Sequence, residues 1–191
     1  MTLGTLYVNA QFPRNSHVLK LVRYLGLDID IVDVREINNY AEIYALHKVP
    51  YFLGTDGFKL PEAYAVVCYL IDLSGDHGDL LGRSTKEKAL NTAWYSLVNM
   101  EIIQRYGVLL SGKTQQAKDK ATAELHGLLE YIDDALATRE FLIGNSFTVS
   151  DLFAHDAIKT LHGLNNDFKS YTNINRYLGS CGCHPCIAPY I

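Results

Sequence analysis

The chain has 191 residues, 48% of them apolar and 20% charged, with a net charge of −4. That length allows one large domain or two small ones with real cores, and the composition is that of a soluble globular protein. The acidic balance gives no support to direct nucleic-acid binding, which favours a basic patch, and no apolar run reaches the roughly 18 residues of a membrane span.

The start, Met1-Thr2-Leu3-Gly4, lacks the basic n-region of a signal peptide. Of four cysteines, Cys181, Cys183 and Cys186 crowd the end of the chain and make no disulfide framework. The expectation is a reducing, cytoplasmic setting.

Thr5-Leu6-Tyr7-Val8 reads as a strand of β-formers. Residues 9–15 form a polar loop containing Pro13, and Asn15 or Ser16 is expected to cap the next helix. Val18, Leu21, Val22 and Leu25 recur at i, i+3, i+4 and i+7 on one helix face, and Gly26 fits the residue that ends such a helix. Residues 28–34, rich in Ile and Val, read as a second strand. Strand, helix and strand over about 30 residues make a βαβ unit with parallel strands. Residues 36–46 are weakly helical.

Lys48-Val49-Pro50-Tyr51-Phe52-Leu53-Gly54 leads to Thr55-Asp56-Gly57 and then to Phe58-Lys59-Leu60-Pro61. Two short apolar runs split by Asp-Gly predict a β-hairpin. Pro50 cannot donate to the ladder and is placed at the strand's first residue. The Val49–Pro50 bond is a candidate cis peptide, which would present the Val49 main chain to a peptide-like ligand. A helix over residues 62–73 puts Tyr64, Val67, Leu70 and Ile71 on one face. The order so far is βαβ, helix, ββ, helix.

Residues 74–88, with Gly75, Gly78 and Gly82, read as a linker. Beyond it the pattern is helical. Leu90, Trp94, Leu97 and Val98 share a face, and Leu125, Leu128, Leu129, Ile132 and Leu136 form a long stripe. Phe141-Leu142-Ile143-Gly144 is a connector. Thr148-Val149-Ser150-Asp151 is a capping box with Asp in place of Glu or Gln, Phe147 can staple onto Leu152, and a helix through Leu152, Phe153, Ala157, Ile158 and Leu161 follows. Residues 174–178 and 185–190 are short helical pieces.

Lys48-Val49-Pro50, Glu62-Ala63 and the segment Gly144-Asn145-Ser146-Phe147-Thr148-Val149-Ser150-Asp151-Leu152 occur in the order found in the glutathione transferase superfamily, which the whole chain resembles. The resemblance implies an α/β plus all-α architecture. A thioredoxin-like βαβαββα half, residues 1–76, would be followed by a helical-bundle half, residues 86–191. It also implies a homodimer, one chain's first half docked on the other's second. Gly4-Thr5-Leu6-Tyr7, the Lys48–Phe58 stretch, Leu80-Leu81-Gly82 and Glu87-Lys88-Ala89 are similar to the amino-terminal domain of the gamma subunit of translation elongation factor 1B and to elongation factor 1 epsilon. The gamma subunit carries a further carboxy-terminal domain, and this chain ends where the transferase-like unit would end.

A transferase in this superfamily needs a hydroxyl or thiol near the end of the first strand to favour the glutathione thiolate. Counting back from Gly26, the tyrosine-type position falls on Val8 and the serine- or cysteine-type position on Phe12. Neither can donate. Tyr7 is the substitute, with Asn15 or Ser16 behind it, and the competing reading of Tyr7 is a core strand residue. The glutathione-binding set implied by the resemblance is Lys48, Val49, Pro50, Glu62 and Ala63. Lys48 would meet the glycyl carboxylate, Val49 would offer its main chain, and Glu62 with the helix start would hold the γ-glutamyl group. Lys48 also reads as a solvated side chain, and Glu62 as plain complement to the helix dipole. Ala63 stands where the family has Ser or Thr, losing a hydrogen bond to a charged group of about 1.5–3 kcal/mol.

The leading functional expectation is therefore a non-catalytic interaction domain of the elongation machinery. Its partners would be elongation factor 1B subunits or aminoacyl-tRNA synthetase complex components, and no cofactor is required. The alternative is a divergent glutathione transferase acting on small electrophiles, and a third reading is a glutathione-binding regulator without turnover. Cys181-Gly182-Cys183-His184-Pro185-Cys186 resembles a zinc cluster only superficially, since Cys-x-Cys-x-x-Cys within six residues strains a single shell. The preferred reading is a loop of free, redox-sensitive thiols. Cys68 reads as a small buried hydrophobe. His155 and His162, seven apart on one helix without a carboxylate at ligand spacing, read as surface or core residues.

Overall fold

The computed structural model describes residues 2–75 and 79–190. The chain divides into two compact units, Met1–Gly78 and Asp79–Ile191.

The first unit runs β1 (Gly4–Val8), α1 (Pro13–Tyr24), β2 (Asp30–Asp33), α2 (Tyr40–Ile43), β3 (Tyr51–Gly54), β4 (Lys59–Pro61) and α3 (Ala63–Ser74). Its four strands lie in the order β2-β1-β3-β4. β1 and β2 are parallel, with Leu6 opposite Ile31. β1 and β3 are antiparallel, with Leu6 opposite Phe52. The β3–β4 hairpin pairs Phe52 with Leu60, and its turn uses Gly57 at φ 86°, the left-handed conformation that Asp-Gly supplies. This is the βαβαββα order expected from the pattern.

Side-chain alternation along β1 sorts its two faces. Leu6 and Val8 are fully buried. Tyr7 joins Tyr40 of α2 and Tyr51 of β3 in a separate cluster, packed with Val32, Val34, Ile37 and Tyr44. α1 packs on α3, with Val18, Leu21, Val66, Leu70 and Ile71 all inaccessible to water.

Two boundaries differ from the sequence reading. α1 starts at Pro13 with Phe12 at its N-cap, whereas Asn15 or Ser16 was the expected cap. Proline is pre-organised for the first helical position, where its missing N–H costs nothing, so the residue assigned to the loop opens the helix. β2 is Asp30–Asp33, shorter than the expected 28–34. Val34 turns off into a short 3₁₀ segment (Val34–Glu36) capped by Asp33. Residue 26 behaves as expected, with φ 64° just past α1.

The second unit is helical: α4 (Thr85–Leu97), α5 (Ile103–Ser111), α6 (Gln115–Leu136), α7 (Val149–Leu164) and α8 (Thr172–Gly182). α4 does not stop before α5. A π-helical segment, Val98–Ile102, joins them into one continuous helix. Of the expected linker, residues 76–78 lie outside the described residues and 85–88 are already helix. Ser84 and Glu87 form a capping box that starts α4, a Ser-x-x-Glu signal that lies inside the stretch expected to be linker.

The predicted box at Thr148 is present. The Asp151 carboxylate accepts from the Thr148 N–H at 2.8 Å and from its hydroxyl at 2.9 Å. Its other oxygen accepts from the Leu142 N–H at 2.9 Å. α7 is buried along nearly its whole length, which explains why its polar start is so fully bonded. The ring of Phe147 stacks on His184 at 3.7 Å and meets Phe141 edge-on at 5.7 Å. These partners give His184 a packing role. Cys181 and Cys186 are buried and Cys183 is exposed. Burial pushes the Cys186 thiol up to about 12 and the Cys181 thiol far above its usual range. Of this cluster, Cys183 is thus the thiol open to oxidants.

Candidate functional site

Three main-chain features of the first unit carry the candidate site: the β1–α1 turn, the chain entering β3, and the start of α3. The β1–α1 turn is held by polar side chains. Asn9 accepts from the N–H of Gln11 through its side chain at 3.2 Å and from the N–H of Phe12 through its carbonyl at 3.0 Å. Asp33, at the end of the neighbouring strand, accepts from the Ala10 N–H at 3.3 Å and from both the main chain and the guanidinium of Arg35. Hydrogen bonding to Arg35 holds the Asp33 carboxyl well below the usual carboxylate range, so it stays an acceptor for the turn at any working pH.

This turn delivers Phe12, half-buried, to the N-cap of α1. The cap position carries no side-chain hydrogen bond, and a phenyl ring can neither donate to a sulfur nor stabilise a thiolate. Val8 is fully buried. The substitutes named from sequence are placed as follows. Tyr7 is 9% exposed, with ring centroids 5.5 Å from Tyr40 and 6.2 Å from Tyr51. Ser16 spends its hydroxyl on the Pro13 carbonyl at 3.2 Å. Asn15 is fully buried in the first turn of α1, its amide oxygen and nitrogen both without a protein partner. Burial pushes the phenols of Tyr40 and Tyr51 up, so the cluster around Tyr7 holds no easily ionised group in those two rings.

Ahead of β3, the Val49–Pro50 bond is cis. Pro50 is buried one residue before the strand rather than on its first residue. Lys48 is exposed, and its carbonyl accepts from the Tyr40 hydroxyl at 2.7 Å. That bond ties the loop to the tyrosine cluster, where Tyr44 stacks on Tyr51 at 4.4 Å. The Val49 N–H and C=O enter none of the turn and loop hydrogen bonds among the described residues.

At the third feature, Glu62 is the N-cap of α3 and has φ 72°. A non-glycine residue in this left-handed region carries strain of about 1–2 kcal/mol. Its side chain is exposed and caps nothing, so the strain is not offset by a local hydrogen bond of that side chain. Ala63, buried, is the first helical residue. A twelve-residue helix therefore begins with no side-chain cap, leaving first-turn N–H groups and the positive end of its dipole available to an anion.

A thioredoxin-like unit followed by a helical unit with a buried capping box defines a protein of the glutathione transferase fold. The glutathione S-transferase C-terminal domain family matches residues 86–182. Glutathione S-transferase Y-2 of Pichia kudriavzevii is 32% identical over 189 residues, covering 98% of both chains. The crystal structure of a glutathione S-transferase from the same organism superimposes with a TM-score of 0.86 at 33% identity, covering 100% of this chain and 96% of that one. Elongation factor 1-gamma 2 of Saccharomyces cerevisiae is 31% identical over 163 residues, covering 81% of this chain but only 39% of the factor. The chain belongs to the glutathione S-transferase family.

Proposed function

We propose that this chain binds glutathione through its main chain and supplies no side chain to ionise the thiol. The observation that carries the reading is Glu62. Its left-handed backbone, with a side chain that caps nothing, holds open the start of α3. That is strain kept at a ligand site rather than used for the fold. The γ-glutamyl carboxylate sits on the α3 N-terminus beside Glu62 and Ala63. The cysteinyl main chain pairs with Val49 ahead of Pro50, and the glycyl carboxylate faces Lys48. The sulfur then lies towards Phe12, where only the α1 dipole favours the thiolate. Conjugation of electrophiles is accordingly slow. Similarity to a glutathione S-transferase over 98% of both chains supports this reading.

Calorimetric titration with reduced glutathione tests it. Saturable binding at or below millimolar concentration supports the proposal, and heats no larger than dilution overturn it.

A second reading is favoured by the similarity to elongation factor 1-gamma and by Phe12 at the N-cap. In it the chain is a dimeric scaffold of the translation elongation machinery, in the cytoplasm, with elongation factor 1B subunits or synthetase-complex proteins as partners. Affinity capture from extract of the source cells decides it. Recovery of those proteins supports the scaffold, and their absence removes it.

A further inference from the structure

The second unit carries a cleft that the glutathione reading does not use. It lies between α7 and α8, has a volume of about 470 Å³, and is lined by His155, Lys159 and His162 on one side and by Leu178, Gly179 and Cys183 on the other. The three basic residues stand at i, i+4 and i+7, one face of α7. Small-ligand sites have volumes of about 300–1,000 Å³ and combine an apolar floor with a few convergent polar groups.

The polar groups of the cleft are the Lys159 ammonium, two imidazoles and Asn175, with the Asp156 carboxylate against His155. Lys159 is exposed and has no ion-pair partner among the described residues. His155 is 5% exposed, and its Nδ1 is engaged by Asp156 at 3.2 Å, which leaves its other nitrogen for a ligand. His162 is half-buried, and its Nε2 is buried with no partner. A buried polar atom left unpaired costs about 1–3 kcal/mol. Lys159 and Lys169 both bring positive charge towards His162. The floor is open, since a Cβ placed on Gly179 would meet nothing within 4 Å.

We propose that this cleft binds a phosphate monoester with a compact apolar body. The head lies by Lys159 between the two imidazoles, and the body covers Leu178 and the bare backbone at Gly179. A phosphate monoester near its second ionisation carries both P–O⁻ acceptors and a P–OH donor, so it can pair with the Lys159 ammonium and with an imidazole nitrogen in either role, which a carboxylate cannot.

The test is a titration with phenyl phosphate, followed by the ring signals of His155 and His162 and the amide signal of Gly179 in NMR spectra. Saturable shifts at these residues, reached at millimolar concentration or below, are expected. Lys159→Ala should weaken binding about tenfold or more, the loss of one charge-assisted bond. Gly179→Leu, which replaces a helical glycine facing open space, should retain the fold and abolish binding by filling the floor. Absence of shifts on α7 and α8, or unchanged affinity in Gly179→Leu with a wild-type melting profile, would overturn the proposal. Should Gly179→Leu fail to fold, the Lys159→Ala affinity decides. Benzoate is the control: if it binds as tightly as phenyl phosphate, the phosphate assignment is wrong.

Discussion

The Tyr177 hydroxyl, on α8, donates to the Asp151 carboxylate, on α7, at 3.2 Å, and both residues are inaccessible to water. With the bonds from Leu142 and Thr148, this makes Asp151 the point where a connector, a helix start and a neighbouring helix converge. Asp151→Ala should destabilise the second unit by about 3–5 kcal/mol, because buried donors lose their acceptor together. Urea unfolding followed by far-UV circular dichroism measures this, and a loss below 1 kcal/mol (roughly the worth of one cap) would show that the network does not act as a unit.

The same residue sets a pH dependence. Burial pushes the Asp151 carboxyl up from 3.8 to about 6. The folded chain therefore holds a proton that the unfolded chain releases between those values. This group's contribution to stability is full below about pH 4 and is lost as pH rises through about 6. The stability difference between wild type and Asp151→Asn should therefore shrink as pH rises across that window and stay flat above it. A difference that grows with pH would contradict the sign.

Glu62→Gly should raise stability by about 1 kcal/mol, since glycine adopts a positive φ without the Cβ penalty. If Glu62 also holds the γ-glutamyl group, the same variant should bind glutathione more weakly. A thermal melt and a titration on one sample separate the two effects. A variant that binds normally would leave the strain at Glu62 without a functional account.

Ala63→Ser returns a hydroxyl to the first residue of α3. Glutathione should then bind about tenfold more tightly, the worth of one hydrogen bond to a charged group. Unchanged affinity would mean that the carboxylate does not sit at this helix start.

At the N-cap of α1, Phe12→Ser should raise the rate of conjugation to an activated aryl chloride, because a hydroxyl there can hold the thiolate. Tyr7→Phe should leave the rate where it was. A rate that collapses in Tyr7→Phe would move the thiol to the tyrosine cluster instead of the α1 start.

The sequence disclosed features that depend on local chemistry. Asp56-Gly57 announced the hairpin because the turn itself demands a left-handed residue. Thr148 and Asp151 announced α7 because a buried helix start must be capped by its own side chains. The start of α1 was misplaced because proline reads equally as a loop or as a first helical residue, and only the surrounding fold chooses. Nothing local could disclose the Tyr7–Tyr40–Tyr51 cluster, whose members come together only when β3 pairs with β1. The segments Lys48-Val49-Pro50 and Glu62-Ala63 were legible as a motif. The left-handed backbone of Glu62 was not, because a Glu-Ala pair gives no sign of a positive φ.

The π-helical join between α4 and α5 has a geometric consequence of its own. Trp94, Val98, Ile102 and Tyr106 are all buried and follow one another every fourth residue. An α-helix turns about 100° per residue, so such a series would swing about 40° further round at each step and leave the core. The wider turn at Val98–Ile102 takes back most of that drift. The segment acts as a phase corrector. It lets a four-residue hydrophobic beat stay on one side of a helix that runs without a break from Thr85 to Ser111.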